Sequence, residues 1–130
     1  MKNTFLILVL AALPVLGFTH EGHDKTPGSL KSIHGGVVQS GKQLNLEVIV
    51  NGNEVTLFPT SHEGKDIASN DVKIEAMATP KKGKPYPVTF TNTPKGFTSK
   101  VDLQGANRLP VTINVSNQGK TDHFTVQVEE

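Results

Sequence analysis

From His34 onward, apolar and polar residues alternate with a period of two. Leu44, Leu46, Val48 and Val50 alternate with Asn45, Glu47 and Ile49, and Val55 and Leu57 lead into Phe58-Pro59. Val72, Ile74, Ala76 and Ala78 alternate with Lys73, Glu75 and Met77, and Tyr86, Val88 and Phe90 with Pro87 and Thr89. Val101 and Leu103 flank Asp102. Leu109, Val111, Ile113 and Val115 form a further run, and Phe124, Val126 and Val128 a last one. Such alternation places one side of each strand on a core and leaves Asn45, Glu47 and their equivalents on the solvent side. His34-Gly35-Gly36 opens the first strand.

Turn clusters separate the runs: Asn51-Gly52-Asn53, Pro80 to Gly83, Thr93-Pro94-Lys95-Gly96 and Asn117-Gln118-Gly119. Asn51-Gly52 and Gln118-Gly119 lie between consecutive runs, as tight hairpins require. No window carries a helical stripe. Seven or eight short strands at even spacing predict an all-β, antiparallel immunoglobulin-like β-sandwich over residues 34–130. A small closed barrel is the alternative. Pro85 and Pro87 bracket Tyr86 and cannot donate to a ladder, which predicts that this strand lies at an edge.

The first 33 residues follow another pattern. Lys2 precedes an unbroken apolar stretch from Phe5 to Leu13, followed by Pro14-Val15-Leu16-Gly17. This predicts a signal peptide over residues 1–17, with cleavage as late as residue 19. The stretch is too short for a membrane anchor, which needs about 20 apolar residues. Export to the periplasm or beyond is therefore expected, with no membrane span after the leader is removed. Residues 18–33 are polar, contain Gly and Pro, and predict a flexible tail.

Composition narrows the chemistry. The chain has 130 residues, 13 Lys+Arg against 12 Asp+Glu, and no cysteine. Near-neutral charge with a single arginine, Arg108, gives no basic face for nucleic acid. Without cysteine there are no disulfides, thiolate metal sites or thiol nucleophiles. Met77 is the one methionine outside the leader, so a thioether cage for Cu(I) is excluded. No G-x-S-x-G elbow, P-loop or dinucleotide fingerprint occurs. An enzyme is not expected.

Histidine is the informative residue, because all five copies lie outside the leader. His20-Glu21-Gly22-His23-Asp24 packs two imidazoles and two carboxylates into five residues of the tail. These donors suit Cu(II), Zn(II), Ni(II) or Co(II); the plainer reading is a solvated His-rich tract. Cleavage after Gly17 would leave Phe18-Thr19-His20, whose amine, two backbone amides and third-position imidazole form a square-planar nitrogen set. Cleavage after Thr19 would put the amine and imidazole of His20 on one metal. Ser61-His62-Glu63-Gly64-Lys65-Asp66 repeats the His-Glu-Gly-x-Asp spacing in a loop, which adds His62 as a contributor. His34 is a further candidate. The two glycines after it read most simply as a turn with positive φ, and alternatively as room for a metal to approach the imidazole. His123 falls out of phase with Phe124 and should face solvent.

Several of these features occur together in a known setting. The His-rich start, His34-Gly35-Gly36-Val37-Val38, Leu46-Glu47-Val48-Ile49-Val50, Val55-Thr56-Leu57-Phe58 leading to Gly64-Lys65, and Gly119-Lys120 ahead of Phe124 follow one another in this order. The arrangement resembles the small periplasmic domain at the N-terminus of adaptor subunits of resistance-nodulation-division heavy-metal efflux pumps, and related free-standing exported proteins. The resemblance implies a periplasmic β-sandwich associated with export of divalent or copper-group metals, and a heavy-metal efflux component as partner. Only His34, Gly35 and Gly36 match the shared motif; His20 and His23 match its His-rich lead-in. The helical hairpin and lipoyl-like parts of a full adaptor do not occur.

The function these observations favour is a non-enzymatic exported protein that binds or buffers transition metal in support of efflux. Its ligands would come from His20, His23, Glu21, Asp24, His34 and His62. The alternative is a protein-interaction module of the cell envelope in which the histidines play no metal role.

Overall fold

The structure, a computed structural model, describes residues 30–130. The leader and most of the predicted tail, with His20, Glu21, His23 and Asp24, lie outside the described residues.

Among the described residues nine strands form two antiparallel sheets, so the two-layer architecture expected from the alternation is present. The first sheet has the order β1 (Val37–Ser40), β2 (Asn45–Asn51), β3 (Glu54–Thr60), β7 (Gly96–Lys100), β6 (Thr91–Thr93). The second has the order β5 (Tyr86–Val88), β4 (Val72–Ala78), β8 (Arg108–Asn117), β9 (Lys120–Glu129). The core lies between them, built from the in-phase residues Leu44, Leu46, Val55, Leu57, Val111, Ile113, Val115 and Val128 with Phe97 and Phe124. Gln118 and Gly119 both take positive φ, 51° and 78°, which closes the β8–β9 hairpin as a two-residue type I′ turn. The strand at Tyr86 does lie at an edge.

Three expectations are corrected. The strand count is nine rather than seven or eight, because Thr91–Thr93 and Gly96–Lys100 form a short hairpin around the Thr93–Gly96 turn. With Phe97 as its one large apolar residue, that hairpin gives little alternation to read. Val101 and Leu103 are buried but lie beyond the end of β7, in irregular chain. The third correction concerns the outer face of β2: Asn45 and Glu47, expected in solvent, are both buried.

Two polar ties join the sheets. Asp122 lies in phase with Phe124 on the core side of β9 and accepts the amides of Lys42 at 3.1 Å, Gln43 at 2.8 Å and Leu44 at 3.0 Å. It thereby fixes the β1–β2 turn of the opposite sheet. Gln39 of β1 donates its Nε2 to the carbonyl of Thr125 on β9 at 3.0 Å. β1 is an edge strand of the larger sheet. Val37 pairs with Val48, which faces the core, yet Val37 itself is 71% exposed.

Candidate functional site

The site begins with Glu47. Its neighbours Leu46 and Val48 face the core, so its side chain points to the outer face of β2, where the segment Ser32–Gly36 lies over it. A carboxylate with 0% exposure must be hydrogen-bonded to persist. Oε1 accepts the Ser32 hydroxyl at 2.7 Å and the amides of His34 and Gly36, each at 2.8 Å. Oε2 accepts the amide of Ile33 at 3.1 Å. Burial pushes the carboxyl up, but the bonds from Gly36, Ser32, Ile33 and His34 together outweigh it and hold it below its ordinary value of 4.5. The tail predicted to run to residue 33 is thus fastened at Ser32 and Ile33.

The paired glycines follow from this strap. Gly35 takes φ +84°, a turn conformation, and its amide donates to the Ser32 hydroxyl at 2.8 Å. A Cβ on Gly36 would stand 2.5 Å from the carbonyl oxygen of Val48, so only glycine lets the strap approach β2. The turn reading of the motif is right for Gly35, and close backbone approach accounts for Gly36.

The strap also places the imidazole of His34. Phe58 is the register partner of Glu47 on β3 and shares its face. The His34 ring stacks on it with centroids 3.8 Å apart and planes inclined by 10°. Phe58 in turn needs Gly96, where a Cβ would come within 2.7 Å of its ring. The Nε2 of His34 meets Oδ1 of Asp66 at 2.7 Å. Asp66 is set by the loop after β3: it bridges to Thr60, Ser61 donates its amide to the Lys65 carbonyl at 2.7 Å, and Ile67 donates to Pro59 at 3.0 Å. The His34 side chain is 26% exposed and that of Asp66 59%. With Ser69, Asn92 and Pro94 they line an open cleft of about 200 Å³.

The other described histidines, His62 and His123, are elsewhere. His62 directs Nε2 at the carbonyl of Gly41, 2.9 Å away. Beside it, the Glu63 carboxyl is held below its usual range by its own backbone amide and the Ser61 hydroxyl, with smaller help from His62 and Lys65. His123 is exposed, as expected, and its Nδ1 lies 2.6 Å from Oδ1 of Asn114. His34 and His62 therefore engage different partners. Among the described residues no group of three or more His, Asp or Glu side chains converges to hold a metal ion. His20, Glu21, His23 and Asp24 lie outside the described residues.

Three residues of this region were not singled out from sequence. Asp66 closes the segment that repeats the tail spacing, and the repeat was its only signal. Glu47 looked like any solvent-face residue of an alternating strand. Phe58 looked like the end of an apolar run.

Comparison of the chain with protein-family models and with curated proteins gives no match. Among solved structures, the fold is similar to the crystal structure of a DUF4426 family protein from Pseudomonas aeruginosa PAO1. The two are 17% identical, with a TM-score of 0.52 over 72% of this chain and 94% of that one. The likeness is one of fold.

Proposed function

We propose that this chain is an exported, non-enzymatic protein of the periplasm that binds transition metal and supports heavy-metal efflux. His20 and His23 are its primary ligands, with Glu21 and Asp24 beside them, and His34 is the ligand borne by the sandwich. His62, whose Nε2 meets the Gly41 carbonyl, is a further contributor.

The observation that carries this reading is the anchoring of the strap. Glu47 holds Ser32 to Gly36 against β2, so the His-bearing segment is rooted beside the His34 imidazole. Only residues 24–31 separate His23 from Ser32. Eight residues reach at most roughly 26–29 Å when extended, and closing so short a loop costs little entropy. An imidazole from His20 or His23 can therefore share an ion with His34 at high effective concentration. Two or three imidazoles with a carboxylate suit Cu(II), Zn(II), Ni(II) or Co(II).

The test is equilibrium dialysis of the processed protein against Zn(II) and Cu(II), beside a His20→Ala/His23→Ala variant. The reading requires the variant to lose most of the bound metal. Equal metal in both would point to the second reading, an envelope interaction module. The edge strand β1, with Val37 open to solvent, favours that alternative.

A further inference from the structure

His34 is oriented more completely than a surface histidine has reason to be. Its backbone amide is held by Glu47, its ring plane by Phe58, and the rotation of the ring within that plane by Asp66. The last contact also fixes a proton. An ionised carboxylate only accepts hydrogen bonds, so the 2.7 Å contact between His34 Nε2 and Asp66 Oδ1 places the ring proton on Nε2. In the neutral imidazole the lone pair then resides on Nδ1, for which no hydrogen-bond partner occurs among the described residues. A histidine beside an aspartate looks like two metal ligands. Here the hydrogen bond and a metal on Nε2 would compete for the same position, whereas a metal on Nδ1 leaves the bond intact. Metal-binding histidines commonly donate their second N–H to a carboxylate, which fixes the tautomer and raises the basicity of the coordinating nitrogen.

We propose that His34 offers Nδ1 to the metal and that Asp66 is a positioning residue, not a ligand. This rests on the metal-binding reading above. Asp66 acts by keeping the proton on Nε2 and the ring turned, and Phe58 by holding the plane in which Nδ1 is presented.

The experiment is long-range ¹H–¹⁵N correlation spectroscopy of the imidazoles in the processed protein at pH 8, first without metal and then with Zn(II), with calorimetry on the same samples. The metal-free wild type should show His34 as the Nε2–H tautomer, and Zn(II) should shift its Nδ1. Asp66→Ala should mix the tautomers and weaken Zn(II) binding about 10–100-fold, the usual cost of losing such a partner. Asp66→Asn keeps an oxygen acceptor and should retain the tautomer and most of the affinity. The side chain of Asp66 is mostly exposed, so both variants should fold. An Nδ1–H tautomer in the metal-free protein, a Zn(II) shift at Nε2, or unchanged affinity in Asp66→Ala would overturn the assignment. Zn(II) bound with every His34 resonance unmoved would overturn it while the metal-binding reading stands. Absence of any heat or shift would overturn both.

Discussion

The amide of Gly36 donates to the Glu47 carboxylate at 2.8 Å, from a glycine whose Cβ would stand 2.5 Å from the Val48 carbonyl oxygen. The short bond and the missing side chain are one arrangement, since the strap reaches the carboxylate only by lying directly on β2. The His-Gly-Gly sequence is therefore explained by packing, and the imidazole is positioned as a consequence.

The two glycines should respond differently to alanine. Gly36→Ala must lift the strap away from β2 and should cost about 1–3 kcal/mol, the usual range for forced overpacking. Gly35→Ala meets no atom within 4 Å and carries only the strain of its positive φ, about 1 kcal/mol. Urea unfolding of both variants should rank Gly36→Ala as the less stable. The reverse order would contradict the strap geometry.

Removing the Glu47 carboxylate should cost about 2–3 kcal/mol in Glu47→Ala, because hydrogen bonds to a charged acceptor are lost together. Its folded pKa is held below 4.5, so its contribution is complete above that value and is lost as pH falls through the lower folded value. Stability measured across that acid range should fall less steeply in Glu47→Gln than in the wild type. Hydrogen exchange at the amides of Ile33, His34 and Gly36 should accelerate in either variant.

The inward half of this architecture was readable because alternation reports which residues meet the core, and Leu44, Leu46, Val111 and Ile113 do so. The outer face was not readable in the same way. Glu47 is buried by chain lying eleven to fifteen residues earlier, and no local pattern records that covering. The same holds for Asp66, which meets His34 across thirty-two residues through a loop. His123, by contrast, was placed correctly, since its environment depends only on the phase of its own strand.

Asp122 and Gly41 should prove energetically coupled. A Cβ at Gly41 would fall 2.5 Å from Oδ2 of Asp122, the oxygen that accepts Gln43 and Leu44. Each of Gly41→Ala and Asp122→Ala should destabilise by about 1–3 kcal/mol. Because both act on the same turn, the double variant should be more stable than their sum predicts. Additive losses in a denaturant double-mutant cycle would show that the turn is not held by this carboxylate.

Metal affinity should weaken as pH falls through about 6.5, because imidazoles must be neutral to coordinate. His123→Ala should leave that profile unchanged, since His123 is engaged with Asn114 on the outer face of the other sheet. A profile that moves with His123 would relocate the site.

The most direct test of the proposed metal capture is titration calorimetry of the chain prepared without residues 1–17, with Cu(II), Zn(II), Ni(II) and Co(II). Saturable binding of at least one ion at micromolar concentration, abolished by His20→Ala/His23→Ala, is the predicted result. The absence of saturable heat with all four ions would contradict it.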